Sequence, residues 1–322
     1  MTKTLVKAKK AFRSGVGRVP AERTVAELLR DGVVVIDKPS GPTSHQVTTW
    51  AKDIVGAAKS AHGGTLDPRV TGVLPVGFGG SVRAMDVLHH GTKAYVGVMR
   101  MHGNVDRRKL DSAVTEFTDE IFQTPPVRSA VRREQRTRRV HGLEVLEVSG
   151  RDVLFQVECD AGTYIRSLAV DMGDALAVGA HLQDLRRTRA ASLTEADAVQ
   201  LHDLKDAMEA HRQGDDSALA RMLRPMEVLL SHMPKVEIKD SAVDAVCHGA
   251  NVAVPGVVTL DQDIRKGSVV AVMSLSGEGV ALGHALMDSD EVMKRSEGFA
   301  IDVSRVFMRP GTYEKGWTSP PE

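Results

Sequence analysis

The sequence predicts an α+β chain in two unequal parts, a mixed strand-and-helix part followed by a small β-rich one. Three observations carry this expectation. Short β-branched or alternating runs recur from Val33 onward, with helix-forming stretches between them. The composition changes near Met233–Pro234. Beyond it short β runs dominate: Val236–Ile238, Val257–Leu260, Val269–Ser274, Val280–Leu286 and Ala300–Phe307. Their spacing suits a small barrel or half-open sheet of about 75 residues, with one short helix at Ser241–His248.

Taken in order, residues 1–31 form a basic extension punctuated by Gly15, Gly17 and Pro20. Val33–Ile36 is a β-branched run that suits a buried strand. Pro39, Gly41 and Pro42 then turn the chain, and Thr43 or Ser44 can cap a helix running to about Val55. His62–Pro75 reads as loop, Ser81–His89 as a short helix and Lys93–Met101 as a strand. Leu143–Val148 and Val153–Cys159 make a hairpin turning at Gly150, the second arm alternating with period two. Leu168–Leu176 is helical in pattern, and residues 195–230 are helical and acidic. The expected units are 1–31, 32–232, 233–309 and a tail of 310–322.

The 322 residues suffice for about two domains of ~100–200 residues, and for a core that needs no disulfides. Apolar residues are 42% and charged residues 26%, which excludes a wholly disordered chain. The longest uncharged stretch, Ala245–Leu260, is broken by His248, Gly249, Asn251, Pro255 and Gly256, so no membrane span is expected. Cys159 and Cys247 belong to no metal-spaced cluster and read as reduced thiols of a cytoplasmic protein.

Net charge is zero, with 42 bases against 42 acids, but unevenly spread. Residues 1–30 carry eight bases and two acids, whereas 231–322 carry nine and thirteen. Arg128, Arg132, Arg133, Arg136, Arg138 and Arg139 fall within twelve residues, and Arg186, Arg187 and Arg189 form a second knot. Clustered Arg suits two-pronged contact with phosphate, or else a solvated charged face.

There is no P-loop, dinucleotide fingerprint, nucleophile elbow or metal-spaced histidine set. The most informative stretch is His62-Gly63-Gly64-Thr65-Leu66-Asp67-Pro68-Arg69-Val70-Thr71-Gly72. Pro68 stiffens the chain beside Asp67, and the glycines permit left-handed backbone and close approach of a ligand. A carboxylate on a stiffened loop suits a positioned nucleophile, although Asp-Pro and Gly-Gly are also ordinary turn signals. Arg166, in Gly162-Thr163-Tyr164-Ile165-Arg166-Ser167, can hold such a carboxylate charged. Tyr95 can stack on an unstacked base or serve as plain core.

These pieces, in order, resemble one family. Asp37-Lys38-Pro39-Ser40-Gly41-Pro42-Thr43-Ser44, the Gly-Thr-Leu-Asp-Pro core, Gly162–Leu168 and Ala180-His181-Leu182-Gln183-Asp184-Leu185-Arg186-Arg187 resemble the TruB-type pseudouridine synthases. Pro125–Val131, Arg136-Thr137-Arg138 and Lys239–Ala250 are similar to its archaeal dyskerin-like branch, the catalytic subunit of box H/ACA ribonucleoproteins. The resemblance runs from about Gly32 to Arg309. It departs at Ala94, where the family often has Glu, and at Ser81-Val82-Arg83, where it has Ala-Thr-Arg or Ala-Thr-Lys.

The resemblance implies a pseudouridine synthase fold: a mixed, largely antiparallel sheet with helices and a central cleft, followed by a small β-rich PUA domain on which the extension packs. It implies Asp67 as the catalytic residue, Tyr95 stacking on the target base and Arg166 pairing with Asp67. Tyr164 and Leu185 would line the pocket, with His62 beside the flipped nucleotide and Lys38, in the supporting motif, among the substrate-binding residues. Residues Arg128 to Arg139 would contact RNA or a partner. No metal or other cofactor is implied. The implied partners are a box H/ACA guide RNA, substrate ribosomal RNA and transfer RNA, small H/ACA core proteins and, through RNA, the kink-turn protein, with no membrane. A guide-free synthase acting on the TΨC arm of tRNA is the alternative.

Overall fold

The computed structural model describes residues 3–8, 15–124 and 134–315. Two sheets organise it. The first is built on β2 (Val33–Lys38), β3 (Ser60–His62), β4 (Thr71–Phe78), β5 (Lys93–Met101), β6 (Asp119–Gln123), β7 (Arg136–Ser149), β8 (Asp152–Cys159) and β9 (Ala180–Ala190); β1 (Thr4–Val6) belongs to the other sheet. Its main order is β2-β4-β9-β5-β8-β7-β6, antiparallel except where β4 meets β9. That parallel junction holds only Thr71↔Arg186 and Gly72↔Arg187.

Five helices matter for the site: α1 (Val25–Asp31), α2 (Ser44–Val55), α3 (Arg107–Glu116), α4 (Ile165–Ala175) and α5 (Leu201–Arg212). Thr43 caps α2, accepting from the Gln46 amide while the Gln46 side chain returns to Thr43. α2 buries Val47, Ala51 and Val55 with Leu204 and Ala207 of α5 against Val34 and Ile36. Val33 and Val35 point to the opposite face and pack with Met226, Leu229, Met273 and Phe307. Both faces of β2 are covered, which is why its four residues from Val33 to Ile36 are uniformly apolar. Each such burial contributes roughly 1.5–3 kcal/mol. α3 and α4 cover the far half of the sheet, burying Leu110, Leu168 and Met172 against Met99, Val153 and Phe155.

Three expectations change. His62–Pro75 is not all loop, because β4 begins at Thr71 and carries Pro75 inside it. The carbonyl of Pro75 accepts from Gly63 on the side away from β2, between the residues paired to β9 and those paired to β3. The ladder therefore asks for no N–H at Pro75. Residues 195–230 are not wholly helical either: Ala198–Val199 and Leu223–Arg224 both add to β2. The Ser81–His89 stretch is a longer run of 3-10 turns, Gly79–His90.

The second sheet has seven strands, in the order Thr4–Val6, Val257–Asp261, Lys235–Ile238, Val269–Met273, Gly279–Ala285, Phe299–Val306 and Val252–Ala253. β1 pairs Leu5 with Leu260. The Lys7 ammonium donates to the carbonyls of Val292 and Arg295. Among the described residues, no helix is long and apolar enough to cross a membrane.

His232 sits at the junction of the two sheets, against Gly91. Both ring nitrogens are buried without a well-formed hydrogen bond. Burial, then the positive charge of Lys93, pushes its pKa down to about 4. Between that value and the ordinary 6.5 the unfolded chain holds a proton the folded one refuses, so stability falls as pH drops through this window. Urea unfolding at pH 7 and pH 4.5 should cost the wild type on the order of 2 kcal/mol more than His232→Gln. Equal losses in the two proteins would refute this.

Candidate active site

Asp67 lies in the turn between β3 and β4, with Leu66 and Pro68 fixed on either side. The Ser44 hydroxyl, at the start of α2, accepts from the Leu66 amide at 2.8 Å and donates to the Leu66 carbonyl at 3.0 Å. The Pro68 carbonyl accepts from the Gly41 amide at 2.9 Å and from the Lys38 ammonium at 2.9 Å. Lys38 also donates to the carbonyls of Pro39 (2.8 Å) and Val70 (2.9 Å). These bonds explain the Lys-Pro-Ser-Gly-Pro-Thr-Ser order: the residues ending β2 and opening α2 immobilise the loop that presents Asp67.

Lys38 is 0% exposed, and burial lowers its pKa while the Asp67 carboxylate opposes that shift. Its expected contact with substrate is therefore corrected, since the ammonium is committed to three carbonyls and leaves no surface for a ligand. It supports the site from behind.

The Arg166 Nε sits 2.8 Å from Asp67 Oδ2, with the two side chains 48% and 45% exposed. Asp67 is thus half open, not buried, and the ion pair faces a cavity of about 590 Å³ lined by Asp67–Val70, Arg166 and Leu182–Leu185. Arg166 stands on the first turn of α4, whose opening is held by Gln123: its amide donates to the Tyr164 carbonyl (3.0 Å) and its carbonyl accepts from the Tyr164 amide (2.9 Å). Tyr164 is thereby fixed one residue from where α4 begins.

Tyr95 is 9% exposed and packs beneath the cavity in a cluster with Leu66, Val70 and Leu185. Burial is the main reason its phenol is pushed above the ordinary value. Leu185 bridges that cluster and the cavity wall. His62 does not line this cavity. It lies in β3 with Nδ1 buried and unpartnered, and burial first, then Arg187, lowers its pKa.

The second arginine knot is not available to phosphate as a unit. Arg186 grips Asp37 through both terminal nitrogens (2.9 and 3.0 Å) and also meets Glu195. Arg189 pairs with Glu158 at 2.6 Å. Arg187 is 1% exposed. In the first cluster, Arg128, Arg132 and Arg133 lie outside the described residues. Arg136, Arg138 and Arg139 stand on β7, with Arg139 paired to Asp119 at 2.9 Å and Arg138 lying over Gly162.

Two residues that sequence patterning missed belong to this frame. Lys93 opens β5 with its ammonium donating to the carbonyls of Leu88 (2.6 Å) and Gly91 (3.0 Å), and burial pushes its pKa down to about 7. Arg187 joins β9 to β4 at Val73 and to the loop at Gly64. Arg187, charged in mid-strand, reads as surface by pattern; only its long-range carbonyl partners make it core.

Four family models match the chain consecutively: DKCLD (NUC011) domain over residues 1–48, TruB family pseudouridylate synthase (N terminal domain) over 52–165, tRNA pseudouridylate synthase B C-terminal domain over 166–231, and PUA domain over 234–307. The chain is similar to the probable tRNA pseudouridine synthase B of Methanopyrus kandleri, at 48% identity over 94% of this chain and 89% of that one. It is likewise 49% identical to that of Pyrococcus horikoshii, over 94% and 91%. Its fold matches the crystal structure of a Cbf5-Nop10-Gar1 complex (TM-score 0.93, 46% identity, 97% of this chain and 96% of that one). It also matches the structure of an H/ACA RNP bound to a substrate RNA containing 2'-deoxyuridine (0.90, 44%, 98% of both).

A catalytic sheet with this cleft, joined to a PUA domain, defines a pseudouridine synthase, an RNA isomerase. The chain belongs to the TruB family of pseudouridylate synthases, and within it to the Cbf5 type.

Proposed function

We propose that the chain isomerises chosen uridines of ribosomal RNA under the direction of a box H/ACA guide, with Asp67 as the catalytic residue. The observation that carries this reading is the Asp67–Arg166 pair at the mouth of a cavity, in a chain that matches an H/ACA RNP bound to substrate RNA over 98% of both chains. The reaction needs a uridine extruded from its stack, its N1–C1′ bond broken, the base turned, and a C5–C1′ bond formed as the C5 proton leaves. A carboxylate held at a fixed point, an arginine paired with it at 2.8 Å and a pocket that retains the free base supply these needs.

Further parts of the reading follow the same logic. The PUA unit, 233–309, holds the lower stem and ACA end of the guide. Arg136, Arg138 and Arg139, with Arg128, Arg132 and Arg133, lie along substrate RNA or a partner. Tyr95 stacks on the target base, Tyr164 and Leu185 line its pocket, and His62 stands near the flipped nucleotide. Nop10 and Gar1, named in one matched complex, are the protein partners, with a kink-turn protein joining through the RNA.

The name shared by the relatives favours a second reading, a tRNA synthase that needs no guide. Tritium release from 5-³H-uridine separates the two. A guide-matched substrate should react only with guide RNA and partner proteins present. Release from tRNA alone, indifferent to guide, would replace the first reading with the second.

A further inference from the structure

Among the described residues, Arg187 is the largest fully buried side chain, 1% exposed in the middle of a sheet. Its Nε donates to the Val73 carbonyl at 2.8 Å and its Nη2 to the Gly64 carbonyl at 3.1 Å. Tyr95 is its direct cross-strand partner, so both side chains leave the β5–β9 pair on the same face and the guanidinium faces the phenol. The ionisable groups its charge acts on are Tyr95 and two bases, His62 and Lys93. Arg186 and Arg189 pair with carboxylates; Arg187 is anchored by two carbonyls and faces a phenol.

A buried guanidinium without a carboxylate is costly, and an apolar side chain would fill the same space with less penalty. Its three partners suggest what it is kept for. Gly64 precedes Asp67 by three residues, Val73 lies in the strand that leaves the Asp67 turn, and Tyr95 packs in one cluster with Val70 and Leu185, which line the cavity. One rigid, planar fork spans all three, which a lysine cannot do.

We propose that Arg187 is a positioning residue that fixes the Tyr95 hydroxyl relative to the loop bearing Asp67, and acts on the reaction through Tyr95. The proposal rests on the roles given above to Asp67 and Tyr95. Arg187→Lys keeps the charge and loses the fork. With the full chain assembled on guide and substrate RNA, its single-turnover rate should fall about 100-fold while the dissociation constant for RNA stays within about threefold. In a Tyr95→Phe background the same change should cost less than about threefold, because the hydroxyl it acts on is already gone.

Losses that multiply, or an unchanged rate, would overturn the proposal. A purely structural role would lower the rate equally in both backgrounds. Wild-type rate in Asp67→Asn would instead strike at the site reading, so the two failures are distinguishable. Should Arg187→Lys not fold, arginine ¹⁵N spectra give the answer in a chain that retains Arg187. Tyr95→Phe, which removes one oxygen, should shift the Arg187 guanidinium resonances and leave those of Arg166 in place; unmoved Arg187 signals would overturn the proposal.

Discussion

Asp67→Asn should lower the single-turnover rate of pseudouridine formation by roughly 10⁴-fold while RNA binding changes less than about threefold. Asn has nearly the shape of Asp, and its carbonyl oxygen can still accept from Arg166. What it lacks is the charge and basicity that attack or proton removal requires. The fold should not notice. The Asp67 side chain is 45% exposed, and the loop is held by Ser44, Gly41 and Lys38 through the backbone of its neighbours. Affinity for RNA arises from charge spread over the surface, and one carboxylate contributes little to it. A melting temperature within a degree or two of wild type, with tritium release lost, is the expected pair of results. Full activity would remove Asp67 from the chemistry.

Much of the fold was legible because its periodicities are local. Val153, Phe155, Val157 and Cys159 alternate in the sequence and are all buried. Thr43 with Gln46 three residues on is a helix start that depends on nothing distant. Gly150, at φ 61°, turns the β7–β8 hairpin as expected. β9 was legible only as part of a family resemblance. Its central Arg187 looks like surface, and what makes it interior is Gly64 and Val73, far away in the chain.

The site divides in the same way. The stiffness around Asp67 was readable from Pro68 and the glycines, but the agents of that stiffness, Lys38 and Ser44, act through carbonyls and amides that no spacing reveals. The pairing of Asp67 with Arg166 is likewise a product of topology, bringing the start of α4 over the β3–β4 turn. Tyr95 is packed as core, in one cluster with Leu185, which also lines the cavity.

Gly72→Ala should be the most destabilising single-methyl change near the site, for a reason unrelated to ligand approach. Gly72 has φ of +101°, a region where an L side chain is strained by about 1–3 kcal/mol. Strain alone would be tolerable in a protein whose stability is about 5–15 kcal/mol. The decisive term is steric. A Cβ at Gly72 would lie 2.2 Å from the Arg187 carbonyl oxygen and 3.0 Å from its backbone nitrogen and carbon. Backbone cannot rotate aside as a side-chain tip can. β9 would have to separate from β4 at Thr71↔Arg186 and Gly72↔Arg187, their sole paired positions, and carry the Arg187 fork with it. The summed cost should reach about 4 kcal/mol or more, the exceptional end of single substitutions. Gly150→Ala is the matched control: φ is again positive, at 61°, but nothing lies within 4 Å of its Cβ, so about 1 kcal/mol is expected. Urea unfolding of the two variants measures the difference. If Gly72→Ala unfolds at the same midpoint as Gly150→Ala, the β4–β9 contact yields more readily than backbone packing allows, and Arg187 cannot be the rigid link between the Asp67 loop and Tyr95.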